Sequence, residues 1–370
     1  MKVLLYIILI FLTVCSCSNN RKSKVYEVFA VDTKRCDAIT DFFDEYIIIP
    51  LETTEDNIIG NIDKISITDE YMYILDKQQA MIFVFDKAGR YINKIAHQGR
   101  ALGEYQSISD FAVSCSYLYC LSRINKKIFV YDFNAAFVRS CNLNDWYSSF
   151  CVVNDSLMYL FSDENNEQYF NYVLYNYNTQ QIIKKIDPFE HNQNYSLGYS
   201  PFHFTNDKIF VTEQYDETLY LLDDNGKQTF CLFDFKPLKK VAPSEKKMPR
   251  EKLYDKIRNM EMLRNIKGVD LSDSVLTLGY SVYCNDVGIR DFVTRINLST
   301  RQNKTIRLND SVFPEFPFLF NILGFQNGQS VSYIPAALAI ELDERYGLHL
   351  CDKYKMNESD NPLIVFHKFK

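Results

Sequence analysis

The 370-residue sequence predicts an all-β fold, a six-bladed β-propeller of four-stranded blades. Its composition favours strands, because 15% of the residues are aromatic and only 12 are Gly and 10 are Pro. A strand motif recurs six times, at intervals of about 40 to 70 residues. The last repeat lacks an outer strand, and a segment near the start of the chain can supply it.

Each repeat has an apolar anchor, a short polar turn and then a strand with alternating side chains. In the first repeat, Tyr71, Tyr73 and Leu75 share one face of that strand, as a period of two requires. The six segments are ITDEYMYILD from Ile67, VSCSYLYCLS from Val113, VNDSLMYLFS from Val153, FTNDKIFVTE from Phe204, LSDSVLTLGY from Leu271 and FQNGQSVSYI from Phe325. Another strand follows each segment. In the first five repeats a polar turn then leads into a short outer strand, such as Tyr91–Ile95.

The sixth repeat ends at Lys370 without an outer strand. We expect Ile47–Leu51 to pair with Leu363–Lys368. This pairing would close the ring and cover two strand edges that otherwise promote aggregation.

Two glycines, Gly99 and Gly103, lie between the apolar runs of the first and second repeats. The loop lacks the Gly-Lys-Ser/Thr ending and the following helix of a phosphate-binding loop. It is therefore expected to be a connector from the outer strand of blade 1 to the inner strand of blade 2.

The chain opens with Lys2 and the apolar run Val3–Val14, which is too short for a mature transmembrane helix and is typical of a secretory signal. The residues before Cys17 resemble a bacterial lipobox, so residues 1–16 are expected to be removed and Cys17 to be acylated. An ordinary cleaved signal that contains two cysteines is the alternative. Residues 17–45 would form a tether and N-terminal segment before a propeller of residues 46–370. The tether lacks an acidic run after the cysteine, which favours the periplasmic side.

The largest insertion, residues 236–267, separates blades 4 and 5. Three prolines predict a loop at its start, and REKLYDKIRNMEMLRNIKG then predicts an amphipathic helix that ends near Gly268. One side of this helix would carry Leu253, Ile257, Met260 and Leu263. The insertion holds 11 Lys and Arg against 4 Asp and Glu. It is either a surface for an anionic partner or lipid headgroups, or a helix whose cations lie in solvent.

Eight cysteines remain after Cys15 and Cys17, and their spacing matches no zinc or redox motif. We expect mostly buried thiols with one disulfide at most. The net charge of −6 argues against general nucleic-acid binding.

No catalytic motif is present: the five histidines form no H-E-x-x-H pattern, and no G-x-S-x-G sequence occurs. No catalytic residue and no cofactor are therefore assigned. Four residues before each anchor, the aligned positions are polar in all six repeats, namely Asp63, Ser109, Ser149, Ser200, Lys267 and Asn321. This pattern predicts a polar rim at the mouth of the central channel, which is either structural or a small-molecule site.

A calcium cage needs several converging oxygen ligands. The predicted rim offers one Asp beside a Lys, so no metal site is assigned. The candidate channel-mouth binding residues are Asp63, Lys64, Asp110, His203 and Asp270.

The stretch GEYQSISDFAVSCSYLYCLSRINKKIFVYDFNAAF resembles an NHL-type blade. Together with the lipobox, IIIPLET, GRALGEY and LIVFHKFK, it is similar to a large family of bacterial six-bladed, TolB-like propeller lipoproteins. The resemblance covers nearly all of the mature chain, and it departs at Ala101 and Leu102, where Gly-Pro is common. It implies a fold and an envelope location but no catalytic residues.

These observations predict a non-catalytic, membrane-anchored lipoprotein of a Gram-negative envelope that faces the periplasm and whose propeller binds a protein, peptide or glycan. A hydrolase or lyase of the calcium-propeller type, or a sensor subunit of an envelope complex, is the alternative. The identity of the ligand, the membrane leaflet and the oligomeric state stay open.

Overall fold

The computed structural model describes residues 26–162, 170–188, 200–246, 248, 250–257, 260–284, 288–308, 316, 318–319 and 322–370. Six antiparallel sheets form the blades of a ring, which confirms the predicted fold class. Five sheets have four strands, and one has a fifth strand added in parallel.

The strands of each blade are given from the channel outward. Blade 1 contains β3 (Lys64–Ile67), β4 (Tyr71–Asp76), β5 (Met81–Asp86) and β6 (Tyr91–Ile95). Blade 2 contains β7 (Asp110–Val113), β8 (Leu118–Ser122), β9 (Lys127–Tyr131) and β10 (Phe137–Asn142). Blade 3 contains β11 (Ser149–Val152), β12 (Leu157–Phe161), β13 (Phe170–Asn176) and β14 (Gln181–Pro188).

Blade 4 contains β15 (Phe202–Thr205), β16 (Lys208–Val211), β17 (Thr218–Asp223), β18 (Gly226–Lys236) and β1 (Glu27–Asp32). Blade 5 contains β19 (Met262–Ser272), β20 (Val275–Cys284), β21 (Gly288–Asn297) and β22 (Asn303–Arg307). Blade 6 contains β23 (Ile322–Gln326), β24 (Gln329–Ile334), β25 (Leu363–Phe369) and β2 (Phe43–Pro50).

The hydrophobic core lies between neighbouring blades. The second strand of blade 1, β4, is buried on both of its faces, because one face packs against blade 2 and the other against blade 6. Tyr73 and Leu75 pack towards blade 2, in a cluster with Phe111 and Cys120. Long apolar runs of the sequence therefore form strands that are buried on both faces.

The N-terminal and C-terminal strands close the ring as predicted. Strands β2 and β25 are antiparallel, with Ile47 opposite Phe366 and Pro50 opposite Leu363. Each strand therefore covers the edge that the other would expose.

The segment before β2, which the sequence analysis assigned to a tether and N-terminal segment without strands of its own, is folded against the ring. Strand β1 pairs with β18 and alternates in burial, with Phe29 and Val31 inside. The Asp37 amide then donates to the Thr305 carbonyl of blade 5, and the Thr305 amide donates to the Asp37 carboxylate. The 3-10 helix Ile39–Asp41 leads into β2. Residues 27–50 thus follow the outer edges of blades 4, 5 and 6.

The predicted helix of the large insertion was wrong in length. Its helices are α1 (Pro243–Lys246) and α2 (Arg250–Ile257), and β19 begins at Met262. The residues that were expected to continue the helix instead pair with β20, from Met262 opposite Tyr283 to Gly268 opposite Gly279. The ladder to a neighbouring strand outweighs a helical periodicity that is only two turns long. The insertion proper therefore spans residues 237–261.

A second helical insertion, which the sequence analysis did not identify, joins β24 to β25. It contains α3 (Ala336–Tyr346) and α4 (Leu350–Tyr354). Helix α3 follows Pro335 and ends at Gly347, whose φ is 63°. Its buried Ala339 and Leu342 pack in a cluster with Leu363 and Val365 of β25.

The glycine-containing loop between β6 and β7 is a connector, as predicted. The buried Tyr105 organises it: its hydroxyl donates to the Ala80 carbonyl at 3.0 Å, and its carbonyl accepts from the Gly99 amide at 2.9 Å. The loop thereby packs against the blade 1 core.

No disulfide joins the eight cysteines among the described residues. Cys120, Cys141, Cys231 and Cys284 are buried, and burial raises the pKa of the Cys120 thiol well above its ordinary value. The described part of the ring is therefore held by packing and strand pairing rather than by disulfides.

We expect Gly89→Ala to destabilise the junction between blades 6 and 1. Gly89 has a φ of 83°, and an added Cβ would lie 2.1 Å from the carbonyl oxygen of Pro50. The clash is with backbone of the ring-closing strand, so we expect a loss of about 2–4 kcal/mol in the free energy of unfolding. Gly288→Ala is the matched control, because its φ of 85° is similar but no atom lies within 4 Å of the added Cβ. Equal losses in urea denaturation of the two variants would contradict the proposed clash.

Candidate functional site

The candidate site lies where the innermost strands begin. Lys64, Asp110 and Ser149 are the first residues of β3, β7 and β11, so the same end of three neighbouring strands brings them to one end of the channel. We call this end of the ring the mouth face. It also carries the connections that enter each innermost strand and the turns between the second and third strands.

The carboxylate of Asp110 is the centre of a network across blades 1 to 4. One oxygen accepts from Lys64 Nζ at 2.6 Å and from its own neighbour's amide, Phe111 N, at 2.8 Å. The other accepts from Ser149 Oγ at 2.6 Å and from Phe150 N at 3.2 Å. Asp110 is 4% exposed, so its four donors replace the water that burial removes. It is a positioning residue rather than a group open to a ligand.

The two ends of this network are more open than its centre. The Lys64 side chain is 34% exposed, and Nζ also donates to the Phe111 carbonyl at 2.8 Å. At the other end, Ser149 Oγ lies 2.7 Å from Ser200 Oγ, which precedes the first strand of blade 4 and is half-buried. Lys64 and Ser200 are therefore the members of the network that a ligand in the mouth can reach. The polar alignment of the sequence included Ser149 and Ser200, but neither was among the candidate binding residues.

Asp63 lies at the same face but outside this network. It is exposed, and its carboxylate accepts from the Lys77 amide at 2.8 Å. Burial, together with the nearby Asp63 charge, raises the pKa of Tyr333 in blade 6. Asp63 thus lies near the junction of blades 6 and 1.

The structure does not bring His203 and Asp270 to the Lys64–Asp110 group. His203 is buried within β15, where its Nε2 lies 3.0 Å from Thr212 Oγ1, and burial lowers its pKa to about 4. Asp270 is near the end of β19, at the opposite end of the channel from Lys64 and Asp110, and its carboxylate accepts from Thr205 Oγ1 at 2.9 Å and from Ser272 Oγ at 2.6 Å. Both side chains therefore form their hydrogen bonds within blades 4 and 5.

Three cations of the large insertion pair with acidic residues of the ring or of the insertion itself. Lys246 Nζ lies 3.0 Å from Asp216 Oδ2, Lys240 lies 3.8 Å from Glu217, and Lys256 pairs with Glu245. Leu253 and Ile257 of α2 are buried against blade 5. Much of the charge that the sequence shows is therefore neutralised locally.

Among the described residues, no group of three or more His, Cys, Asp and Glu is placed to hold a metal ion. No helix in the same part of the chain is long and apolar enough to cross a membrane. Cys17 and the predicted signal lie outside the described residues.

The sequence matches a family over residues 26–368, which is the whole ring with β1 included; the family is described as "Domain of unknown function (DUF4934)". The chain belongs to the DUF4934 family. No functionally described protein matches this DUF4934 sequence.

Three solved structures resemble this DUF4934 ring. A Bacteroides fragilis NCTC 9343 protein that is named as an exported protein is 17% identical, with a TM-score of 0.74 over 93% of this chain and 99% of that one. A member of the duf4221 family from Bacteroides vulgatus atcc 8482 is 12% identical, with a TM-score of 0.55 over 89% of this chain and 97% of that one. Virginiamycin B lyase from Staphylococcus aureus is 9% identical, with a TM-score of 0.45 over 87% of this chain and 99% of that one, which carries no argument about chemistry. At these identities the likenesses establish the fold alone.

Proposed function

We propose that this DUF4934 protein is an exported lipoprotein of a Gram-negative cell envelope, anchored through acylated Cys17, and that its TolB-like propeller binds a protein, peptide or glycan without catalysis. The name of the Bacteroides fragilis protein supports export, and the signal and lipobox residues support the anchor. We assign the globule to the periplasmic side because the tether after Cys17 lacks an acidic run.

One observation carries the binding role: the mouth face holds both helical insertions and the Lys64–Asp110 network. The insertion of residues 237–261 enters β19 at this face, and the insertion with α3 and α4 joins β24 to β25 there. Turns at the opposite end of the innermost strands are short, such as residues 68–70 and 114–117. Propellers bind through loops that a rigid ring holds in place, so elaboration of one face favours that face as the binding surface.

Site-specific photocrosslinking in the native envelope tests this proposal. We expect a photoreactive residue at Lys77 or Ile124, on the mouth face of blades 1 and 2, to capture one stoichiometric partner. Glu70 and Ser116, which are exposed in the opposite-face turns of the same two blades, are the matched positions and should capture nothing specific. The Cys17→Ala protein should not capture the partner, because without its lipid anchor the propeller is not held at the membrane.

Two results would count against the proposal. Capture from Glu70 and Ser116 in preference to the mouth positions would assign binding to the other face. A turnover activity that Lys64→Met abolishes would replace the non-catalytic role with an enzymatic one.

A further inference from the structure

The hydrogen bonds of the mouth network have a fixed direction. Ser149 has one hydroxyl proton, and the carboxylate of Asp110, 2.6 Å away, can only accept it. Ser200, 2.7 Å from Ser149 Oγ, must then donate its own proton to Ser149. The oxygen of Ser200 therefore presents lone pairs to the mouth, and this end of the network is an acceptor.

The other end of the network is a donor. Lys64 Nζ has three protons, of which one goes to Asp110 Oδ1 and one to the Phe111 carbonyl. The third proton is available on a side chain that is 34% exposed. A ligand in the mouth thus meets a donor beside blade 1 and an acceptor beside blade 4.

Two lysines in the described part of the mouth have acidic partners. Asp110 neutralises Lys64, and across the channel Lys267 Nζ lies 2.7 Å from Asp291 Oδ1. A carboxylate ligand could accept from Lys64 but could not donate to Ser200, and an ammonium group could donate to Ser200 but could not accept from Lys64. The network therefore favours an uncharged group that both accepts and donates.

Large apolar side chains are exposed on the mouth-face loops of blades 1 to 3. Leu102 is 90% exposed, Ile124 is 59% exposed and Trp146 is 42% exposed. Trp146 lies three residues before Ser149, and Lys126 Nζ lies 4.6 Å from the centre of its ring. Exposed apolar groups on the face that carries a polar network are typical of a recognition surface.

We propose that the mouth binds an extended, uncharged peptide segment of a partner protein that carries apolar side chains. Each peptide unit supplies a carbonyl for Lys64 and an amide for Ser200, and an extended chain repeats both groups along its length, so it can engage both ends of the network. Its apolar side chains would cover Ile124 and Trp146. This inference rests on the proposed binding function and names its ligand class.

Trp146 is the only tryptophan of the chain, so its fluorescence reports occupation of this surface. The experiment uses the full-length lipidated protein in detergent and two neutral probes. One is a set of N-acetylated, C-amidated peptides of about eight residues of Leu, Val, Ser and Thr, a length that spans a typical strand. The other is a neutral oligosaccharide. We expect the capped peptides to give a saturable shift in Trp146 emission. The same peptides with uncapped, charged termini should not give this shift.

Ser200→Ala and Lys64→Met should each weaken peptide binding, by about fivefold and about tenfold respectively, because each removes one hydrogen-bonding partner of the ligand. Ser200→Ala keeps the Lys64–Asp110 pair, so it remains informative if Lys64→Met folds poorly. Lys208→Met removes an exposed charge from the opposite face, at the turn between β15 and β16, and should leave affinity unchanged.

Each other outcome overturns the inference in a distinct way. Oligosaccharide binding that depends on Lys64 and Ser200 would preserve the binding function and replace the peptide as its ligand. Peptide binding that neither variant weakens would remove the network from the site. The absence of any saturable peptide shift would reject the peptide class, and the crosslinking result would still decide the proposed function independently.

Discussion

Replacing Lys227 with Met is expected to destabilise the propeller by about 3–5 kcal/mol, because it leaves two carboxylates without their cation between blades 3 and 4. Lys227 Nζ lies 2.6 Å from Asp187 Oδ2 and pairs with Glu213, and the Lys227 side chain is only 13% exposed. Burial alone would lower the pKa of Lys227, but the two carboxylates raise it, so the lysine is charged in the folded protein. Its ammonium also lies 4.6 Å from the centre of the Tyr220 ring.

A double-mutant cycle separates the ion pair from simple loss of packing. Burial raises the pKa of Glu213, so a neutral Gln at this position should be tolerated once the cation is gone. We therefore expect Glu213→Gln to recover part of the loss when it is added to Lys227→Met, measured by urea denaturation at neutral pH.

Arg345→Met is the control for an ordinary ion pair. Arg345 and Glu341 lie on α3 with side chains that are 57% and 58% exposed, and we expect this change to cost less than about 1 kcal/mol. If Lys227→Met cost no more than Arg345→Met, the inter-blade cluster would contribute nothing beyond a surface pair.

The repeats were predictable from sequence because each blade carries its own local pattern. Alternation in stretches such as MYILD and the polar turns between them depend only on neighbouring residues, and the strands form where they were expected. The closing strand was predictable for a different reason: the last repeat lacked a strand, and only pairing with a distant segment could cover its edge.

Two other features that depend on distant partners were not predicted. Strand β1 has a clear alternation around Phe29 and Val31. Its partner, β18, is about 200 residues away in the chain, and nothing in the sequence around β1 identifies that partner. In the large insertion, Met260 and Leu263 fit a helical period, but residues from Met262 onward have a strand, β20, to pair with. Tertiary pairing decides between two local patterns that the sequence supports almost equally.

The candidate site was predictable in part, because the repeats can be aligned with one another. Lys64 and Asp110 occupy matching positions of neighbouring repeats, so the alignment of blades brought them together correctly. Asp270 directly precedes the anchor of its repeat, whereas Lys64 and Asp110 lie three residues before theirs, so the alignment already placed Asp270 further along its strand and it did not belong with them.

Acid is expected to weaken the ring closure through His367, which lies on β25 between β24 and β2. The residue is fully buried, and neither ring nitrogen has a hydrogen-bond partner in the described structure. Its ring packs against Phe43, Tyr46 and Phe316, at centroid distances of 5.4, 6.2 and 6.3 Å. Burial lowers the pKa of His367 to about 3.

The sign of the pH effect follows from this lowered pKa. Below about pH 6.5 the unfolded chain takes up a proton that the folded chain refuses until about pH 3, so stability is present at neutral pH and is lost as the pH falls through this range. The loss between pH 7 and pH 4 should be on the order of 3 kcal/mol for His367. His203, whose pKa burial lowers to about 4, adds a loss of the same sign.

His367→Phe should therefore flatten the decline in the free energy of unfolding between pH 7 and pH 4, measured by urea denaturation, and leave the part that belongs to His203. At pH 7 the variant should be as stable as the natural protein or more stable by about 1–2 kcal/mol, because an unsatisfied buried polar group has been removed. His349→Gln is the control, since the His349 side chain is 83% exposed and should not affect the acid limb. An unchanged acid limb in His367→Phe would show that the buried imidazole does not control closure, whereas a flattened one would place the most acid-sensitive point of the propeller at the strand that joins its two ends.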